Sequence, residues 1–268
     1  MKISSVSEMR ALDREAISAY GIADELLMEN AGGAAFAVLR ERFGVAGRRI
    51  VIVCGAGNNG GDGLVLARKI HAELGVAVVY ILGDPQRYQD AAALNWRIVE
   101  RLPITVQRLE KATDLEAALS SCDAVVDAIF GTGLGRKVEG RYAEAIDLIN
   151  RSGCPVLSLD IPSGVNGDSG AIMGTAIRAD ATVTFGLPKY GNLLYPGAEQ
   201  GGDLYVSHIS FPPGIYTKDD FKVALNRPAA LPPRDPAGHK QGFGDLLCIA
   251  GAASYYGAPH LSAYAFLR

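Results

Sequence analysis

The sequence predicts a doubly wound α/β fold, a mostly parallel sheet with helices on both faces, on three observations. Short apolar runs rich in β-branched residues occur at 50–54, 76–82, 104–106, 124–129, 156–159 and 181–185, the length of buried strands. Segments of helical period separate most of them, such as Leu66, Ala67, Ile70 and Leu74, or Ala143, Ile146 and Ile149. The first run passes into a glycine-rich turn that opens a helix. Strand and helix in alternation imply βαβ units, whose parallel strands are covered on both faces.

In chain order, a first helix is expected behind a cap at Ser5 or Ser7, with Met9, Leu12, Ala16, Ile17 and Tyr20 at helical spacing before Gly21. A second starts at a cap on Asp24, carries Leu26, Leu27, Ala31, Ala34, Ala35, Val38 and Leu39, and stops at Gly44. The strand–helix alternation follows. It breaks where six of the thirteen prolines fall between positions 212 and 236, a density that suits an extended connector. Beyond it, an apolar strand at 246–250, a Gly/Ser loop and a helix start afresh. One strand and one helix cannot bury their own apolar faces, so the chain reads as ending inside a second domain.

The 268 residues are 49% hydrophobic and carry 26 Lys+Arg against 29 Asp+Glu, a formal charge of −3. That length allows one large or two smaller domains. So neutral a balance gives no electrostatic basis for binding nucleic acid or an anionic membrane. The longest apolar run, 76–82, is far short of the ~18–20 residues that cross a bilayer. The N-terminal MKISSVSEMR lacks the apolar core of a signal peptide, so a cytoplasmic protein is expected. Cys54, Cys122, Cys154 and Cys248 are widely spaced with no CxxC, which argues against a zinc site or a disulfide framework. Cys54, Cys154 and Cys248 lie in or beside apolar runs and are expected to pack there. His71, His208, His239 and His260 are scattered and read as ordinary surface or core residues.

Chemistry concentrates at three strand ends. Cys54-Gly-Ala-Gly-Asn-Asn-Gly-Gly-Asp-Gly63 holds G-x-G-x-x-G at Gly55, Gly57 and Gly60, the Rossmann spacing between a strand and a helix. The acidic partner of that motif is poorly placed, because Asp84 lies 29 residues after Gly55. The oxygens of Asn58, Asn59 and Asp62 suggest a cation or ligand hydroxyls as well as a phosphate. A second turn, Gly131-Thr-Gly-Leu-Gly-Arg-Lys137, follows a run in which Asp127 is an isolated carboxylate among apolar residues, costly unless paired or cation-bound. The turn, with Arg136 and Lys137 at its rim, reads as an anion cradle. The third locus is Ser158-Leu-Asp-Ile-Pro-Ser-Gly164, where Asp160 ends a strand and Ser163 sits on the following turn. In a parallel sheet these loops emerge at one edge, so all three should converge. Lys189, past the run 181–185, would reach the same edge and pair with Asp160. An all-oxygen cluster favours a hard cation over zinc or copper. Two other readings stay open: an NAD(P)-dependent oxidoreductase, from the glycine motif, and a non-catalytic dinucleotide-binding protein.

The ordered set LMENAG (27–32), AGNNGGDG (56–63), VDAIFGTGLGR (126–136), SLDIPSGVNGDSG (158–170) and TVTFGLPKYG (182–191) resembles the NAD(P)H-hydrate epimerases, the YjeF N-terminal domain family. The end of the chain, from HKQGFG at 239, resembles the opening of the ADP-dependent NAD(P)H-hydrate dehydratase that is fused behind the epimerase in bifunctional repair enzymes. HKQGFG departs from the commoner HKGDFG, and the catalytic Gly-Asp motif of that second domain is outside these residues. The resemblance implies a Rossmann-like three-layer αβα domain over 1–215, a connector over 216–238, and the start of a second, ribokinase-like α/β domain over 239–268.

It also implies repair of damaged nicotinamide cofactors. Water added to the reduced ring gives R and S hydrates at C6, and the epimerase interconverts them, so NAD(P)H hydrate is substrate and not cofactor. By motif, Asn58, Asn59, Gly60, Gly61 and Asp62, the loop Gly131, Thr132, Gly133, Leu134, Gly135, Arg136 and Lys137, and Asp160 would contact the hydrate. Asn59, Asp127 and Ser163 would be potassium ligands. ADP and magnesium would serve only the dehydratase part. C6 is a carbinolamine carbon, so its inversion needs proton transfer at oxygen, with Asp160 the expected general acid/base and Lys189 its partner. The expected partners are a small-molecule dinucleotide and further copies of the chain in a homo-oligomer, with no nucleic acid and no membrane.

Overall fold

The computed structural model describes residues 1–226, 237 and 247–266 and divides into two compact units, Met1–Leu225 and Asn226–Arg268. The first is built on seven strands: β1 (Arg49–Gly55), β2 (Val76–Leu82), β3 (Thr105–Arg108), β4 (Ala124–Ala128), β5 (Val156–Leu159), β6 (Ala181–Phe185) and β7 (Asp203–Ser207). They form one sheet in the order β3-β2-β1-β4-β5-β6-β7. Every pair is parallel. The doubly wound α/β class read from the sequence is the one observed, Rossmann-like in architecture, with the order reversing between β1 and β4.

Alternation along the strands divides the core. In β1, Ile50, Ile52 and Cys54 pack with α1 (Val6–Tyr20), α2 (Asp24–Phe43), α3 (Asn58–Ala72) and α4 (Asp90–Val99), while Val51 and Val53 face the opposite layer. That second layer contains α5 (Glu116–Leu119) and α6 (Arg141–Arg151). Helix α1 is capped by Ser5, whose hydroxyl accepts from Glu8 N while Glu8 reaches back to Ser5 N. Close packing of α2 on α3 depends on Gly32, where a Cβ would lie 2.3 Å from Val65 Cγ1.

Several expectations are corrected. Asp24 is not the cap of α2: Ala23 occupies that position without a side-chain bond, and Asp24 is the first helical residue. Strand β7 carries no continuous apolar run, because it is a half-buried edge strand, and so it was not legible. The prolines at 212 and 213 open a short helix, α9 (Pro213–Tyr216), after α7 (Tyr190–Leu193) and α8 (Gly197–Gln200). The chain after residue 215 still belongs to the first unit: Phe221 is buried, Ile3 N donates to Val223 O (3.1 Å), and Leu225 N donates to Met1 O (2.8 Å). Cys54 is buried as expected, but Cys154 is half-buried against Cys122, and Cys248 is exposed.

In the second unit, residues 247–250 form no strand, and α10 spans Gly257–Phe266. Leu246, His239 and the rest of the HKQGFG segment, with most of the expected connector, lie outside the described residues. No helix among the described residues is long and apolar enough to cross a membrane.

Candidate functional site

The loops after β1, β4, β5 and β6 meet at the carboxyl edge of the sheet, around the switch between β1 and β4, where open parallel sheets place their ligands. With α1 and the start of α2 they enclose a cleft of about 950 Å³. Asn58, Asn59, Asp62, Gly131, Thr132, Gly133, Leu134, Arg136, Asp160 and Lys189 all line it. A Cβ on Gly131 would lie 2.9 Å from Asp160 Oδ2 and 3.4 Å from Asn59 Cγ, so glycine lets the three loops touch. Gly60 and Gly61 sit beneath the cleft in α3, where a Cβ would meet Gly55 O (1.9 Å) and Met28 Sδ (2.8 Å) respectively. Gly135 and Lys137 are exposed and lie away from the lining, Lys137 pairing with Glu139 at 3.5 Å. Asp84 stands two residues past β2, yet its Oδ1 accepts from Gln86 N (3.1 Å) and it does not line the cleft.

At the cleft floor, Lys189 is 1% exposed and spends all three of its donors. Nζ donates to Asp160 Oδ1 (2.5 Å), Phe185 O (2.7 Å) and Thr184 Oγ1 (3.0 Å). The other carboxylate oxygen of Asp160, Oδ2, accepts from Thr132 N at 3.3 Å. Asp160 has φ +68°, a left-handed conformation that L side chains seldom take. It is held there by its own N–H on Val183 O (2.7 Å) and by Asn192 Nδ2 on its carbonyl (3.1 Å). Asn192 Oδ1 also accepts from Lys189 N (2.9 Å), and Ser4 brackets the lysine from the N-terminal segment. The chain thus fixes both members of the ion pair by backbone and side chain together.

Behind this pair, Asp127 is fully buried at the end of β4. Ser158 Oγ (2.8 Å) and Ser163 N (2.8 Å) donate to Oδ2; Ser163 Oγ (2.5 Å) and Ile129 N (3.2 Å) donate to Oδ1. Burial pushes its pKa up, against the pull of the Ser163 and Ser158 hydrogen bonds. Asn59 is also buried, with neither Oδ1 nor Nδ2 bonded to any described residue. Among the described residues no three His, Cys, Asp or Glu side chains converge as a metal-ligand group.

Sequence reasoning missed Asp13 and Asp24. Both line the cleft from the helices that roof it. Burial raises the Asp13 pKa to about 6, with Lys189 pulling it down and Asp160 pushing it up. Burial likewise raises Asp24, and burial reinforced by Asp160 and Asp24 raises Asp62 well above the usual range. The only signal for Asp13 was its place one residue after Leu12 of the buried stripe.

Residues 24–191 match the family described as YjeF-related protein N-terminus. The chain belongs to this family. The YjeF match includes four of the strand-end loops described above. A protein named NAD(P)H-hydrate epimerase from Limosilactobacillus reuteri is 39% identical over 208 residues, 77% of this chain and 95% of that protein. A bifunctional NAD(P)H-hydrate repair enzyme from Thermofilum pendens is 47% identical over 270 residues, 100% of this chain but 51% of its own length. The chain therefore spans about half the length of the bifunctional relatives it matches. The crystal structure of the yeast protein ynu0 shares the fold, with TM-score 0.68 and 23% identity over 80% of this YjeF-family chain and 92% of that one.

Proposed function

We propose that the first unit interconverts the R and S hydrates of NADH or NADPH at C6 of the nicotinamide ring. One observation carries the reading: a buried carboxylate–ammonium pair, Asp160 and Lys189, faces a cleft rimmed by the loop after β4 and the first turn of α3, in a family whose relatives bear epimerase names. A pair of this kind holds one proton between two groups of fixed position, and a proton moved at oxygen is what inversion at a carbinolamine carbon requires. Asp160 Oδ2 is the oxygen not committed to Lys189 and would accept or return the proton of the C6 hydroxyl. Lys189 stabilises the carboxylate and sets its orientation. No net oxidation occurs, so the glycine motif serves to bind the substrate and not to deliver a hydride.

Asn58, Asn59, Asp62, the loop residues Gly131, Thr132, Gly133, Leu134 and Arg136, and Asp160 would contact the dinucleotide. The free amides of the first turn of α3 and the loop with Arg136 suit its phosphates. Asn59, Asp127 and Ser163 would hold potassium. They fit it: the donors are oxygens, Asn59 Oδ1 is buried without a partner among the described residues, and the hydrogen bonds on Asp127 come from neutral groups. Bound there, the ion would supply positive charge at the base of the cleft. Residues 239–268 we assign to the opening of the dehydratase half of a bifunctional repair enzyme, where ADP and magnesium would act.

The test supplies an R/S hydrate mixture and a separate S-specific dehydratase. Faster recovery of NADH from the R fraction when this protein is added is the expected result. Unchanged recovery with folded protein refutes the assignment.

A further inference from the structure

Cys122 and Cys154 stand 32 positions apart in sequence, yet their Sγ atoms lie 2.9 Å apart, inside the ~3.5–4.0 Å of ordinary nonbonded contact. A disulfide bond measures about 2.05 Å, so less than about 1 Å of movement joins them. Their backbones are already locked together. Val125 pairs with Val156 across β4 and β5, and Val125 N donates to Pro155 O at 2.9 Å, so the segments that carry the two cysteines lead into neighbouring paired strands. Both side chains are half-buried, so a small reagent can reach them. They lie at the sheet edge opposite the cleft, where the proposed reaction makes no use of them.

We propose that Cys122 and Cys154 close into an intramolecular disulfide that staples the starts of β4 and β5. The loop it closes contains Asp127, the glycine turn at 131–137 and α6. The oxidant is a low-molecular-weight disulfide. The Cys154 thiolate attacks one of its sulfurs, forming a mixed disulfide and expelling one small thiolate. Cys122 then loses its proton to water and attacks Cys154 Sγ, expelling the second. Net, the protein gives up two electrons and two protons, and the reagent leaves as two thiols. Burial and the hydrogen bond to Cys154 raise the Cys122 pKa to about 12, so Cys122 is a poor first nucleophile.

The whole chain, reduced and then incubated with oxidised glutathione, is alkylated, digested without reductant and mapped by mass spectrometry. The expected product is a Cys122–Cys154 linked peptide that reduction separates, with the oxidised chain melting roughly 5–15 °C above the reduced one and no such gain in Cys122→Ser. Alkylation of both thiols, or glutathione retained on both, overturns the proposal. So does a linked chain that melts no higher than the reduced one. The mapping uses the wild-type chain, so it decides even if Cys122→Ser fails to fold.

Discussion

Lys189 is the largest fully buried side chain among the described residues. An ammonium group so placed is tolerated only because Asp160 neutralises it and two further oxygens accept its remaining protons. Lys189→Met should therefore leave the Asp160 carboxylate uncompensated and cost about 3–5 kcal/mol, read as a fall in Tm at neutral pH; an unchanged Tm would mean the pair is worth little. Asp13 gives a pH-dependent prediction of defined sign. Its folded pKa is raised from 3.8 to about 6, so between these values the folded state holds a proton that the unfolded chain has released. Stability contributed by this group is then present at low pH and lost as pH rises through about 6, by at most on the order of 3 kcal/mol. Asp13→Asn should match wild type near pH 4 and melt higher above about pH 6; equal melting at both would refute the assignment. Asp160 and Lys189 were legible as a pair because each follows an apolar strand at the same sheet edge. Asp13 was not, since a charged residue in the run Leu-Asp-Arg-Glu reads as the solvated face of a helix.

At the scale of elements, the glycines after β1 and β4 do different work. A Cβ on Gly60 would stand 1.9 Å from Gly55 O, while one on Gly133 meets nothing within 4 Å. Gly60→Ala should push the start of α3 off β1, displacing Asn59 and Asp62, at a cost of about 1–3 kcal/mol. Gly133→Ala should stay within about 0.5 kcal/mol. Denaturant unfolding of the two variants checks the contrast, and equal losses would contradict it. Five of the seven strands could be read because each is an apolar run covered on both faces, and the exposed edge strand β3 was marked only by the short run at 104–106. The seventh, β7, is a half-buried edge strand whose pattern is diluted by Asp203, Tyr205 and Ser207. The meeting of Cys122 and Cys154 was also invisible, since strand neighbours far apart in sequence are fixed by sheet order and not by local pattern.

For the whole molecule, the first unit runs to Leu225, and the segment after residue 215 packs into it. Phe221 is buried, Lys2 Nζ donates to Phe221 O (2.8 Å), and Lys218 pairs with Glu15 (2.5 Å). A chain cut after Leu225 should keep the melting temperature of the unit, whereas one cut after residue 215 should lose about 1.5–3 kcal/mol from Phe221 alone. Equal stability of the two would return the boundary to 215. The proline-rich composition hid this segment, because proline marks an extended path without saying what that path packs against. The proposed epimerisation takes place in the cleft that this unit builds, and Asp160→Asn removes its acid/base. The variant is studied below its melting temperature, with hydrate binding measured separately, in the coupled assay that follows conversion of the R hydrate through an S-specific dehydratase. Retained binding with epimerisation slowed by a factor on the order of 10²–10⁴ is expected; retained binding with epimerisation at the wild-type rate would rule Asp160 out as the acid/base.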